Sequence, residues 1–289
     1  MRRALLLCAA LLAPVALLAQ EPARSGAPPT AGAGKAAPAN PVFLPLPEPT
    51  LEGFKKAEPG IDPKVWQLFD AADAEMIRAK QARLPRRIDR VIKTVLAAKP
   101  GESRLTQNSN DLKVLENGLL VSVISNAEGV TDAAIVSVGM MGLLPVYSRA
   151  HITVQSAYVI EGTLTRYLAE LPRFDLKPGA LAPGGTFGWE LTTRGTAYNR
   201  TVGVFTSSPK TTEDRAPSRG DCTVGERIPA KEIFPEFTGS ALKISCAQSE
   251  SGVQVTGSLI YLEDYAWFMI QKESATGITA EYKITGVLW

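Results

Sequence analysis

The stretch PRRIDRVIKTVLAAK, Pro85–Lys99, decides how the first third of the chain is read. Pro85 ends any helix running into it, and its ring suits the first position of a new one. Ile88, Val91, Ile92, Val95 and Leu96 then recur at the spacing of one helix face. Arg83, Arg86, Arg87, Arg90 and Lys93 gather on the opposite side. The spacing predicts a helix over 85–99.

Upstream, GIDPKVWQLFDAADAEMIRAKQARL carries its own start signals: Asp62 to cap, Pro63 at the first helical position and Ile61 to staple onto Trp66. Val65, Phe69, Ala72 and Met76 follow at helical spacing. The two stretches together predict a helical region over 51–103, built as a hairpin or a kinked helix.

From about Arg104 the texture changes to short alternating runs broken by Gly, Pro, Asn and Asp, which predicts a mixed, mainly antiparallel β domain over 104–289. ALKISCAQ, VQVTGSLIYL, YAWFMIQ and ITAEYKITGVL are strand-like, with short junctions between them. Residues 241–288 therefore read as a four-stranded meander. Its last strand places Ile278, Ala280, Tyr282, Ile284 and Leu288 on the buried face. Phe187, Trp189 and Leu191 share a face in an earlier strand. Between 118 and 174 the reading is mixed, because AAIVSVGMMGLLPV suits a strand pair or a core helix and AYVIEGTLTRYLAELPRF suits a helix. The fold class expected is α+β, with an N-terminal helical region ahead of a disulfide-stapled antiparallel domain.

At the N-terminus, Arg2 and Arg3, an apolar run and Ala19 have the layout of a secretory signal over 1–19. The apolar run is shorter than a spanning helix and is interrupted by Pro14. Residues 20–50 hold eight prolines and little to bury, so they read as a linker. With Arg2 and Arg3 removed, 29 basic residues face 29 acidic ones. That balance argues against nucleic acid, whose binders present a dominant basic face. Neutrality in total hides an asymmetry: eight basic residues and one acid lie between Arg78 and Lys99. A basic helix face there would suit an anionic envelope surface or an acidic envelope protein, or else stay solvated or pair with acids of the β domain.

Cys222 and Cys246 are the two cysteines left after the signal. Cys246 shares parity with Leu242 and Ile244, so it should point into a core, while Lys243 and Ser245 point out. Two cysteines and one histidine are too few for a structural zinc, and the spacing is far from C-x-x-C, so a disulfide is expected and no metal. No cofactor is expected either: TAGAGKAA lies in the linker and lacks the hydroxyl residue that follows a P-loop lysine.

Catalytic constellations are scarce. His151 is the only histidine and has no nucleophile elbow near it, so it reads as a surface or hydrogen-bonded residue. The S-x-x-K matches Ser207/Lys210 and Ser240/Lys243 lack their companion motifs. Carboxylates such as Glu161, Glu190 and Asp264 could serve glycan cleavage, but sequence alone does not pair them, and Glu263 with Asp264 reads first as a turn. Counting back by twos from Trp289 meets Lys283 and Glu281, the wrong phase for a lipid-facing strand.

The expectation is an exported bacterial envelope protein, periplasmic or secreted, acting as a non-catalytic binding or structural module. Its candidate binding residues are Arg83, Arg86, Arg87, Arg90 and Lys93 on the basic helix and an aromatic group of Tyr261, Tyr265 and Trp267. The rival readings are a carboxylate-dependent envelope hydrolase and a secreted adhesin or effector.

Overall fold

The computed structural model describes residues 47–289 apart from 62, 100, 129–130, 156–158, 178–180, 204–209 and 251–252. The signal, most of the linker, Asp62 and Ser207 lie outside the described residues, as do the side chains of His151 and Glu161.

The chain is an antiparallel barrel of twelve strands: β1 Arg87–Leu96, β2 Ser103–Val114, β3 Leu120–Glu128, β4 Thr131–Met140, β5 Leu144–Gln155, β6 Val159–Phe174, β7 Thr186–Gly203, β8 Lys210–Pro229, β9 Ser240–Glu250, β10 Val253–Leu262, β11 Trp267–Ala275 and β12 Ile278–Leu288. Each strand pairs with its sequence neighbours, and β1 closes the barrel on β12. Two short helices precede the barrel, α1 Leu51–Ala57 and α2 Ala71–Gln81, with a 3-10 turn at Pro63–Trp66 between them.

The α+β expectation is therefore overturned, and the stretch that misled is Pro85–Lys99. Arg87–Leu96 is a strand in which Ile88, Arg90 and Ile92 are buried while Arg87 and Lys93 are exposed. Five of its ten residues, Ile88, Val91, Ile92, Thr94 and Val95, are β-branched, which favours the pleated state. The apolar positions fit a helix face only because a buried arginine interrupts their alternation. The helical reading of AYVIEGTLTRYLAELPRF gives way to β6, and AAIVSVGMMGLLPV is the β4–β5 hairpin. Residues 241–288 do form the four-stranded meander, β9 to β12. Its last strand departs at one point: a register shift opposite Asp89/Arg90 turns Leu288 outward and brings Val287 to the inner side.

Turn chemistry explains the hairpins. The β11–β12 turn has Thr276 and Gly277 both at positive φ, 35° and 83°, the two-residue geometry whose twist matches the flanking strands. Gly220 lies directly opposite Trp189 and under its ring, where an added Cβ would sit 2.0 Å from the indole.

The apolar interior falls into two clusters on opposite faces of β9–β11. Leu242, Ile244, Leu259, Tyr261 and Phe268 join the larger one, whereas Ala241, Ile260, Leu262, Trp267 and Met269 join the smaller. Burial on both faces is why LIYL, Leu259–Leu262, and WFMI, Trp267–Ile270, are unbroken apolar runs. The helical segment closes the larger cluster: Phe54, Val65, Trp66 and Ile77 are buried in it. Phe54 meets Tyr147 edge-on at 5.5 Å, and Asn117 Nδ2 donates to the Trp66 carbonyl at 2.8 Å. Each such side chain contributes about 1.5–3 kcal/mol by leaving water. Among the described residues no helix is long and apolar enough to cross a membrane, a statement about helices only.

Cys222 and Cys246 form a disulfide between directly opposed positions of β8 and β9, with Cα atoms 4.1 Å apart. Leu242 and Ile244 are buried beside it while Lys243 and Ser245 are exposed, as the parity implied.

Candidate functional site

Antiparallel pairing lines up residues that are far apart in sequence. One row crosses five strands as Thr186, Thr223, Ser245, Ser258 and Lys272, each opposite the next. The adjacent row on the same face runs Gly188, Asp221, Ala247, Thr256 and Ser274. Together these side chains floor a groove of about 910 Å³ that Asp175 also lines. Five strands about 4.8 Å apart make that floor about 19 Å long. Cys222, which is buried, and Cys246, which is half-buried, also line it, and their disulfide ties two of the five strands together.

The groove's acids are in solvent. Asp175 pairs with Arg173 at 3.2 Å and Asp221 with Arg219 at 3.4 Å, and each carboxylate side chain is more than half exposed. Hydroxyls of the floor offer donors and acceptors alike, and Ser274 and Thr279 share a hydrogen bond of 3.1 Å at its end.

A second polar feature lies behind the sheet. Adjacent residues of β11 point to opposite faces, so Lys272 looks out and Glu273 looks in. Glu273 is 4% exposed and accepts a hydrogen bond from the Tyr282 hydroxyl at 2.9 Å. Burial pushes its carboxyl up to about 8, against the opposing pull of the Tyr282 hydrogen bond and of Arg90. The Tyr282 phenol is pushed well above its usual value by burial and then by Glu273. Arg90 lies 5.8 Å over the Tyr282 ring and donates through Nε to Asn108 Oδ1 at 3.2 Å. Burial pulls its guanidinium down, with Tyr282 and Glu273 acting the other way. Arg90, Tyr282, Asn110, Ser122 and Ser137 line a cavity of about 100 Å³ between β1–β4 and the start of β11.

The residues singled out from sequence are dispersed. Arg83 approaches Asp264 at 3.9 Å, Arg86 donates to the Trp289 carbonyl at 2.8 Å, and Arg87 grips Asp111 at 2.7 and 3.0 Å. Lys93 is exposed and stands opposite Glu281. Arg90 points inward, so the five cations do not share a face. Tyr261, Tyr265 and Trp267 are 2–3% exposed, which places them in the core and not in a surface patch. Glu190 is exposed on β7 and Asp264 lies in the β10–β11 connection, so these two acids belong to different parts of the molecule. Lys243 pairs with Glu226 at the solvent face, and His151 sits on β5 opposite Ala134 and Leu164. Among the described residues no three His, Cys, Asp or Glu side chains converge as metal ligands.

No family model, curated protein or solved structure matches the chain. Site and function therefore rest on the geometry alone. Sequence reasoning missed the hydroxyl rows and Glu273. For the polar interior around Arg90 the inward set Thr106, Asn108 and Asn110 of β2 was the available signal, being buried polar residues that alternate with exposed or half-buried ones.

Proposed function

We propose that this is an exported envelope binding module that holds an extended polar ligand across β7–β11. The observation that carries the reading is the pair of hydroxyl-bearing rows flooring the groove of about 910 Å³, a size typical of ligand sites. Small side chains leave room for a ligand to lie against the sheet. Their hydroxyls adapt as donors or acceptors, and Lys272, Asp221 and Asp175 supply charges of both signs. Export is supported by the Arg2, Arg3 and Ala19 pattern and is compatible with the disulfide.

The hydrolase reading has less support. A carboxyl that donates a proton near neutrality needs burial away from water, as Glu273 has, yet Glu273 faces away from the groove. The groove's own acids sit in solvent beside arginines.

A photocrosslinking residue at Thr256 in the full-length protein tests the proposal in cells. It should trap a discrete envelope species, and Ser245→Trp, which fills the floor, should abolish the product. A crosslink unaffected by Ser245→Trp would move the ligand elsewhere, and glycan cleavage lost on Asp221→Asn would replace binding with catalysis.

A further inference from the structure

We propose that the cavity between β1–β4 and β11 is a binding site for one small oxyanion, of carboxylate or phosphate type. The site lies on the other face of the sheet from the groove and stands independently of it.

Donors exceed acceptors there. Arg90 is 9% exposed, and among the described residues only its Nε has a hydrogen-bond acceptor, Asn108 Oδ1. The two terminal nitrogens of its guanidinium are left without one. Asn110 is 5% exposed and its Oδ1 accepts from Ser122 Oγ at 2.7 Å, which leaves the amide Nδ2 as the free end. Both residues line the same cavity. These nitrogens open onto the cavity and are donors only, so a ligand made only of acceptors is the species this wall selects. A planar guanidinium presents paired N–H groups that match two oxygens of a carboxylate or phosphate. The volume of about 100 Å³ equals about three waters' share of liquid, enough for a single acetate or phosphate.

Charge agrees with this composition. Among the described residues Glu273 is the one acid whose charge acts on Arg90, and burial pushes its carboxyl up to about 8, which weakens it as a counter-charge to the arginine at neutral pH. Glu273 is faced by Arg90 from β1 and Tyr282 from β12, while Gly257 opposite it on β10 carries no charge. Ionisation of Glu273 above about pH 8 would supply that counter-charge internally and compete with the ligand.

Sodium acetate and sodium phosphate, titrated against sodium chloride at equal ionic strength, test the site on the full-length protein at pH 6 by melting temperature and calorimetry. A saturable single-site response to acetate or phosphate, absent with chloride, is expected. Arg90→Gln and Asn110→Asp should weaken it about 10- to 100-fold, the loss of a charge-assisted hydrogen bond. With acetate, which is ionised throughout this range, wild type should bind more weakly at pH 9 than at pH 6, whereas Glu273→Gln should bind equally at both. Should Arg90→Gln fail to fold, Asn110→Asp and Glu273→Gln decide the question. Identical responses to all three salts, or titrations unchanged in Asn110→Asp, would mean that water alone satisfies these donors and would overturn the site.

Discussion

The meander β9–β11 and the closing quarter β12–β1–β2 belong to one sheet but solve burial in opposite ways. Where Leu259–Leu262 of the meander pairs with Trp267–Ile270 both faces are apolar, with Leu259 and Tyr261 on one side and Ile260 and Leu262 on the other. In the closing quarter the inner face carries Arg90, Thr106, Asn108, Asn110 and Tyr282, and the outer face carries ion pairs such as Arg87–Asp111 at 2.7 Å. The first region is held by contact area, whereas the second sets polar groups such as Arg90 Nε and Asn108 Oδ1 against each other inside the sheet. The barrel is thus stabilised from one side and made chemically specific from the other.

Phe268→Ala probes the apolar half hardest, since the ring packs on Tyr261 at 4.6 Å and on Phe187 at 5.9 Å. A loss of about 3–5 kcal/mol in denaturant unfolding is expected. A loss below about 1 kcal/mol would show that the meander is not the anchor of the fold.

Reducing the Cys222–Cys246 disulfide comes next. Cross-linking residues 24 apart in sequence removes unfolded-state entropy worth about 3 kcal/mol. The reduced protein should melt several degrees lower with its groove-facing strands affected first by hydrogen exchange, and free thiols titrating in the untreated native protein would contradict the bond.

The polar half is probed by pH. Glu273 is held up to about 8 in the folded protein against an ordinary carboxyl value of 4.5, so between these values the folded state binds more protons than the unfolded one. The contribution is fully present below the unfolded value and is lost as pH rises through 8. Allowing for water reaching the cavity, Glu273→Gln should gain about 2 kcal/mol over wild type at pH 9 and little at pH 5. Equal pH profiles for the two proteins would place Glu273 in an ordinary aqueous setting.

The smallest effect is expected on the outer surface. Arg87→Ala removes the bidentate pair with Asp111, but both partners are about 45% exposed. Urea unfolding should shift by less than about 1 kcal/mol, and by still less at high salt.

These contrasts also explain what could be read from sequence. The meander was legible because its turns are short and its strands are apolar or alternate cleanly, and the inward position of Cys246 followed from its neighbours Leu242 and Ile244. β1 was not, because Arg90 occupies an inward position where an apolar residue would have shown the period of two. β6 was not either, since Leu164, Leu168, Ala169 and Glu170 are helix formers placed in a strand by their pairing with β7. The groove is illegible for a different reason. Its hydroxyl row joins Thr186 to Thr223 and Ser245 to Ser258, and no local pattern announces which residues the register will set side by side.

The closing pair β1–β12 has a kinetic consequence. Arg87 meets Leu288, so the first strand of the barrel finds its second partner only among the last residues of the chain. Local hairpins can form as the polypeptide lengthens, but the ring itself must wait for the C-terminus, and so distant a pairing makes its completion the slow step. Until then β1 and the growing end of the sheet both present open hydrogen-bonding edges, the state most prone to wrong association.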